Sequence, residues 1–322
     1  MKRILVTGAN GFVGQALCRA LNGNGYFIRA AVRSNEKLAQ LPEGVEYCIV
    51  GEVGSGTGWS TALEGIDTVI HLASRVHLMQ DNSSDALSEY RKINTAGTKR
   101  LASLAAQSGV SRFIFLSSIK VNGEYTGEGN AGSFCETDTP DPQDNYAVSK
   151  WEAEQALTEI GKESGLETVI LRPPLVYGPG VKANFLSLLK IIDSEVPLPF
   201  AAIKSKRSFI YLGNLVDIIS KCIMSPKVSG QTFLVSDGED IAIPQLMKTI
   251  AKSMGRDPVL LPIPVGFLKL FGRISGRKSK VGRLVRPLVI NNGKIVGALN
   301  WKAPYSLSEG IELTVKSYLD SK

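Results

Sequence analysis

Tyr146 and Lys150 stand four residues apart, with Ser117-Ser118 upstream of them, and these side chains are the ones in the sequence best suited to moving a proton. On a helix, i, i+4 spacing puts Tyr146 and Lys150 on one face. An ammonium there, with an oxidised nicotinamide, lowers the phenol pKa and makes it a usable acid or base near neutrality. Serine hydroxyls at the end of a strand can hold the reacting oxygen. The chemistry that suits this set is hydride transfer, with Tyr146 handling the proton. A Tyr-x-x-x-Lys pair alone is a common helix surface, so the reading depends on what accompanies it.

It is accompanied by Gly8-Ala9-Asn10-Gly11-Phe12-Val13-Gly14. This G-x-x-G-x-x-G run follows an apolar stretch, Ile4 to Thr7, and opens a segment of helical spacing, Gly11 to Leu21. Glycines at such a turn permit unusual dihedrals and let the backbone approach a pyrophosphate, which sits on the N–H groups of a helix N-terminus. Gly8, Gly11, Phe12, Val13 and Gly14 are therefore expected at a dinucleotide. The second strand ends Ala30-Ala31-Val32-Arg33-Ser34, with no acid to hold the ribose of NAD. Arg33, with Lys37 close behind, suits the 2′-phosphate of NADP; an arginine stacked on adenine would serve either cofactor. Glu52, with Val53 beside it, follows the third strand, and Asp67 precedes the fourth. Both acids could face the adenine side or be structural.

The elements that must position these residues alternate. Strands are expected at Ile4 to Thr7, Phe27 to Val32, Val45 to Val50, Thr68 to Leu72, Arg112 to Ser117 and Thr168 to Leu171. Long helices are expected at Ser84 to Ser108, with Leu87, Tyr90, Ile93, Leu101 and Leu104 inward, and at Asn145 to Glu163. The fold class is α/β, a Rossmann-type doubly wound parallel sheet with a smaller C-terminal lobe. Sites in such sheets lie at the carboxyl ends of strands, where Ser117 and Ser118 fall. Residues 1–175 are expected to form the cofactor-binding domain and 176–322 the substrate lobe. Ser208 to Leu212 and Thr232 to Val235 are expected to return to the main sheet.

Composition fits one large domain, or a large and a small one: 322 residues, 43% hydrophobic. No signal peptide is visible, and Val259 to Phe271, the longest apolar stretch, is too short to span a bilayer. Four scattered cysteines without metal spacing fit a reduced cytoplasmic protein. The net charge is +7, yet Pro258 to Ser308 holds nine Lys/Arg and no acid. That segment reads as a solvated basic face, a surface for a phosphate-bearing ligand, or a weak attachment to an anionic membrane. Nucleic acid is not expected, for want of a binding motif or aromatic-basic interleaving. His71 reads as a buried structural residue and His77 as a loop residue. No cluster suggests a metal.

Together Thr7 to Gly14, Asp67 to Ala73, Asn94 with Gly97-Thr98, Ser117-Ser118, Tyr146 to Lys150 and Arg172-Pro173 resemble the extended short-chain dehydrogenase/reductase family, in its NAD-dependent epimerase/dehydratase branch. The resemblance runs over essentially the whole chain. It implies Ser118, Tyr146 and Lys150 as catalytic residues, with Ser117 as an adjacent substitute. Leu72, Ala73, Ser74 and Pro173 would line the cofactor, and Asn94 would support the framework. It further implies a UDP-sugar substrate held by Ser117, Ser118, Lys120, Tyr146, Asn184 and Arg207, with Arg283 or Arg286 as a second diphosphate arginine. A homodimer is expected.

Some residues depart from the family pattern. Arg172-Pro173-Pro174-Leu175 replaces the usual R-Y-F-N, and Ser74 to His77 lacks the lysine of galactose epimerases. Phe115 to Gly123 and Arg172 to Lys182 are similar to a bacterial surface-polysaccharide (O-antigen type) subgroup, the UDP-N-acetylquinovosamine dehydrogenases. Reduction of a 4-keto-6-deoxy-N-acetylhexosamine at C4 is therefore the leading expectation. A 4-epimerase is the alternative, and a non-catalytic NAD(P)-binding protein is a second one, opposed by the intact Ser118, Tyr146 and Lys150.

Overall fold

Ile4, Leu5 and Val6 are apolar without alternation, and all three are fully buried. They form the middle of β1 (Arg3–Thr7), a strand covered on both faces. The structure, a computed structural model, describes residues 1–35, 41–76, 85–127, 132–274 and 278–322, with the backbone alone at 278–280 and 283. Lys37 and His77 lie outside the described residues.

After β1 come α1 (Phe12–Gly23), β2 (Phe27–Val32), β3 (Glu46–Ile49), α2 (Ser60–Leu63), β4 (Thr68–His71), α3 (Ala86–Tyr90), a π-helical turn (Arg91–Ala96), α4 (Gly97–Gln107), β5 (Arg112–Leu116), α5 (Asn145–Ser164) and β6 (Glu167–Arg172). The remainder is β7 (Leu175–Tyr177), α6 (Ala183–Asp193), β8 (Lys206–Tyr211), α7 (Leu212–Met224), β9 (Gln231–Leu234), β10 (Asp240–Ala242), α8 (Ile243–Ser253), α9 (Val265–Ile274), α10 (Lys278–Val285), α11 (Gly293–Leu299) and α12 (Leu307–Asp320).

The main sheet runs β3-β2-β1-β4-β5-β6-β9, parallel throughout. Strand order reverses between β1 and β4, which opens a crevice at their carboxyl ends. One face is filled by α1 and α7, with Leu17, Leu21, Leu215 and Ile219 buried there. The other is filled by α2, α4 and α5, with Leu63, Leu101 and Leu157. A separate core joins α6, β8, α8 and α12 through Phe185, Phe209, Leu246 and Ile311. Phe12 packs against the α1/α7 core and the second-lobe core alike, so the glycine turn stands at their junction.

Two expectations are corrected. Ser208 to Leu212 does not return to the main sheet: β8 pairs with β7 and β10 in a three-stranded sheet. Apolar content alone cannot choose between two sheets. The predicted helix 84–108 is not uniform either, because the turn Arg91–Ala96 widens it from α to π. Thr232 to Val235 does return, as β9 beside β6.

Candidate active site

The turn after β1 is built to keep side chains out. Gly8 has φ +66°, and a Cβ there would lie 2.8 Å from the Ala73 amide nitrogen. A Cβ on Gly14 would lie 2.2 Å from the Gly8 carbonyl oxygen. Gly11 caps α1 with no side-chain hydrogen bond, so no side chain occupies the first amides of the helix. An anion-binding turn of this shape fits a dinucleotide pyrophosphate. Val13 is half-buried against the first core. Leu72, Ala73 and Ser74 follow β4 directly, with the Leu72–Ala73 backbone against the turn. Arg33 is exposed at the end of β2, and Glu52 and Val53 follow its neighbour β3. Asp67 is elsewhere: its carboxylate accepts from the Arg3 amide at 2.7 Å, at the amino-terminal edge of the sheet. That removes it from the adenine side.

Behind the crevice is a buried polar framework. His71 lies between Thr7 Oγ1 at 2.7 Å and Thr98 Oγ1 at 3.0 Å. Thr98 spends its proton on the Asn94 carbonyl, at 2.6 Å. His71 must therefore donate from Nε2 and accept at Nδ1. Burial pushes its pKa down to about 3, ahead of the positive charge of Lys150, so the ring is neutral. Asn94, in the π turn, donates to the Arg75 carbonyl at 3.1 Å and to Ser149 Oγ at 3.0 Å. It accepts from Ser74 Oγ and the Arg75 amide. Asn94 thus ties the strand end at Ser74 to α5.

α5 carries the proton-handling pair. Its N-cap, Asp144, accepts from the Ala147 amide at 2.8 Å, and Gly165 ends it at φ 77°. Tyr146 bonds the Ser74 side chain, and its ring meets Tyr90 edge-on at 6.3 Å between centroids. Burial pushes the phenol up to about 12, while the Ser74 bond acts in the opposite sense. Burial therefore sets the phenol of the protein alone; the lowering expected above needs an oxidised nicotinamide as well as the ammonium. Lys150 Nζ turns to the Leu116 carbonyl at 2.8 Å and stands 4.3 Å from the Phe115 ring centre. Its own burial brings its pKa down to about 7, with Glu154 pulling it back up.

The two serines have separate fates. Ser118 is half-buried, and its hydroxyl accepts from the Lys120 amide at 3.3 Å, so its proton stays available. Ser117 is buried and its hydroxyl donates to Glu154, which removes it from the expected substrate contacts. Glu154 also pairs with Arg172, whose Nη1 donates to Asn122 Oδ1 at 2.8 Å. Arg172 was singled out by motif alone, and Glu154 and Asn122 were not legible as site residues. For Glu154 the signal was the continuation of the Tyr146–Lys150 spacing by one more step of four. Lys120 is held within the protein: its ammonium pairs with Asp144, with Glu124 at 3.7 Å. Pro173 is buried, and its carbonyl accepts from the Ile119 amide at 2.9 Å.

In the second lobe, Arg207 and Arg286 come together: Arg207 Nη1 donates to the Arg286 carbonyl at 2.9 Å. Arg286 lies 4.1 Å from the Tyr125 ring centre, and the Thr126 amide donates to the Pro287 carbonyl. Two arginines thus border the loop that follows Ser118, an arrangement suited to a diphosphate. Asn184 is exposed in the first turn of α6. The side chain of Arg283 lies outside the described residues. Tyr125 is a residue that motif spacing did not single out.

The family model described as the NAD dependent epimerase/dehydratase family matches residues 4–236. A UDP-glucose 4-epimerase of Vibrio cholerae is 41% identical, over 99% of this chain and 96% of its own length. An N-acetyl-alpha-D-glucosaminyl-diphospho-ditrans,octacis-undecaprenol 4-epimerase of Escherichia coli O157:H7 is 26% identical, over 97% and 94%. Among solved structures, the UDP-glucose 4-epimerase of Thermotoga maritima with UDP-glucose superposes with a TM-score of 0.77 at 23% identity, covering 99% of both chains.

Proposed function

Because this chain belongs to the NAD dependent epimerase/dehydratase family, and so is an NAD-dependent enzyme, we propose that it inverts C4 of a nucleotide-diphosphate hexose. The observation that carries this reading is the 41% identity to the Vibrio cholerae epimerase along nearly all of both chains. It favours the epimerase over the reductase that the residue pattern put first. The site geometry agrees with either reaction.

The residues divide the work as follows. The nicotinamide dinucleotide, when bound, supplies the place where a hydride is held and from which it returns. The glycine turn and the first amides of α1 hold its pyrophosphate. Tyr146 takes the proton of the sugar 4-hydroxyl and gives it back, while Ser118 Oγ holds the same oxygen. Lys150 supplies positive charge beneath the site. Arg207 and Arg286 grip the diphosphate. Inversion at C4 requires the site to accept both faces of the hexose, so binding energy belongs on the diphosphate and not on the ring.

Purified protein given UDP-glucose and UDP-N-acetylglucosamine, without added cofactor, is expected to yield the corresponding 4-epimers by NMR. The reductase remains a second reading because of one observation: Arg33 is exposed at the end of β2, where no acid stands, which suits an exchangeable NAD(P)H. If the protein leaves both sugars untouched but oxidises NADH or NADPH stoichiometrically with a UDP-4-keto-6-deoxy-N-acetylhexosamine, the epimerase proposal is wrong. The Escherichia coli relative adds a third substrate class to the panel, a hexose on a lipid diphosphate.

A further inference from the structure

α9 turns two opposite characters to its two sides. Leu268 and Gly272 face inward: Leu268 is buried in the second-lobe core, and a Cβ on Gly272 would lie 2.8 Å from Val281 of α10. The close approach at Gly272 fixes which way the helix faces. Phe267, Leu270, Phe271 and Ile274 then fall on the outer side, at i, i+3, i+4 and i+7, and are 66%, 52%, 65% and 78% exposed. A soluble surface scatters such residues singly; four on one helical stripe form a patch that marks an interaction site. The segment entering α9 adds Val259 and Leu261, also exposed.

Charge decides what the patch meets. Lys269 and Arg273 are exposed on the same helix, and the sequence from 258 to 308 holds nine Lys/Arg and no Asp or Glu. A second copy of this chain docking face to face would bring that positive charge against itself. An anionic bilayer answers both features: acyl chains take the apolar stripe, and headgroups take the cations. No helix among the described residues is long and apolar enough to cross a membrane, so the helix would lie in the interface. We propose that α9 is an interfacial anchor that seats the substrate lobe on an anionic lipid surface.

Flotation of the full-length protein with vesicles tests this. Wild-type protein is expected to float with phosphatidylglycerol/phosphatidylethanolamine vesicles, to float poorly with phosphatidylcholine alone, and to be released by added salt. Phe267→Glu and Leu270→Glu are each expected to weaken partitioning about tenfold or more, from lost apolar burial. Both variants should keep the wild-type circular dichroism spectrum and melting midpoint, which separates lost docking from lost folding. No flotation of wild type, equal flotation with neutral vesicles, or unchanged flotation of both variants would overturn the proposal. So would an oligomer, seen by light scattering, that these substitutions split, because the stripe would then be a contact between copies. None of these outcomes depends on which reaction the site performs.

Discussion

Glu154 takes hold of the Arg172 guanidinium from one side: Nε lies 3.0 and 3.2 Å from its two oxygens, and Nη2 lies 2.5 Å from Oε2. Both side chains are almost wholly buried. The same carboxylate accepts from Ser117 and raises the pKa of Lys150, one helical turn before it. The ends of β5 and β6 and the lysine of the site are therefore joined through one buried charge.

Replacing that charge while keeping its shape tests the link. In Glu154→Gln, Arg172 is left without its counter-charge, and stability is expected to fall by about 3–5 kcal/mol, as when a buried pair is broken. Lys150 also loses the charge that keeps its pKa as high as about 7. Its ammonium exists below that pKa and is lost above it. The alkaline loss of kcat/KM should therefore move to lower pH in the variant. An unmoved alkaline limb, in protein shown to be folded by its thermal transition, would make Glu154 purely structural.

Tyr146→Phe removes one hydroxyl and little surface. Turnover is expected to drop by roughly 10²–10⁴-fold. Cofactor binding, followed by fluorescence titration, should remain near that of wild type. Turnover close to wild type would take the proton-carrying role away from Tyr146.

Two glycines of α1 should behave oppositely. Gly14→Ala puts a Cβ 2.2 Å from the Gly8 carbonyl oxygen, which is backbone and cannot step aside without deforming the turn. Gly23→Ala, at the far end of the same helix, meets nothing within 4 Å. The first is expected to lose dinucleotide affinity. The second should keep it and gain up to about 1 kcal/mol of stability. Equal cofactor dissociation constants for the two variants would remove the turn from the binding site.

His71 predicts an acid sensitivity. Its folded pKa is about 3, against the ordinary value of 6.5, because burial disfavours the charged ring. As pH falls below 6.5 the unfolded chain takes up a proton that the folded chain refuses, so folding stability falls toward pH 3. The ceiling on this loss is about 5 kcal/mol. His71→Gln keeps a donor and an acceptor but does not titrate. Its melting midpoint should be lower at neutral pH and should fall less steeply on acidification. Parallel pH curves for the two proteins would assign the acid sensitivity to other groups.

The sequence by itself determined the order of strands and helices in the first half, the glycine turn, and the joint placement of Tyr146 and Lys150. These follow from local rules: apolar runs, i, i+4 spacing, and glycines where backbone must come close. Tertiary structure decided which of Ser117 and Ser118 keeps a free proton, because the choice depends on Glu154, 37 residues away. It decided that Lys120 pairs with Asp144 and that Arg207 meets Arg286, contacts spanning 24 and 79 residues. It buried the Tyr146 phenol, which raises its pKa, and turned the Lys150 ammonium to the Leu116 carbonyl. And it placed β8 in the small sheet, because strand pairing is chosen by partners distant in the chain and leaves no mark on the strand itself.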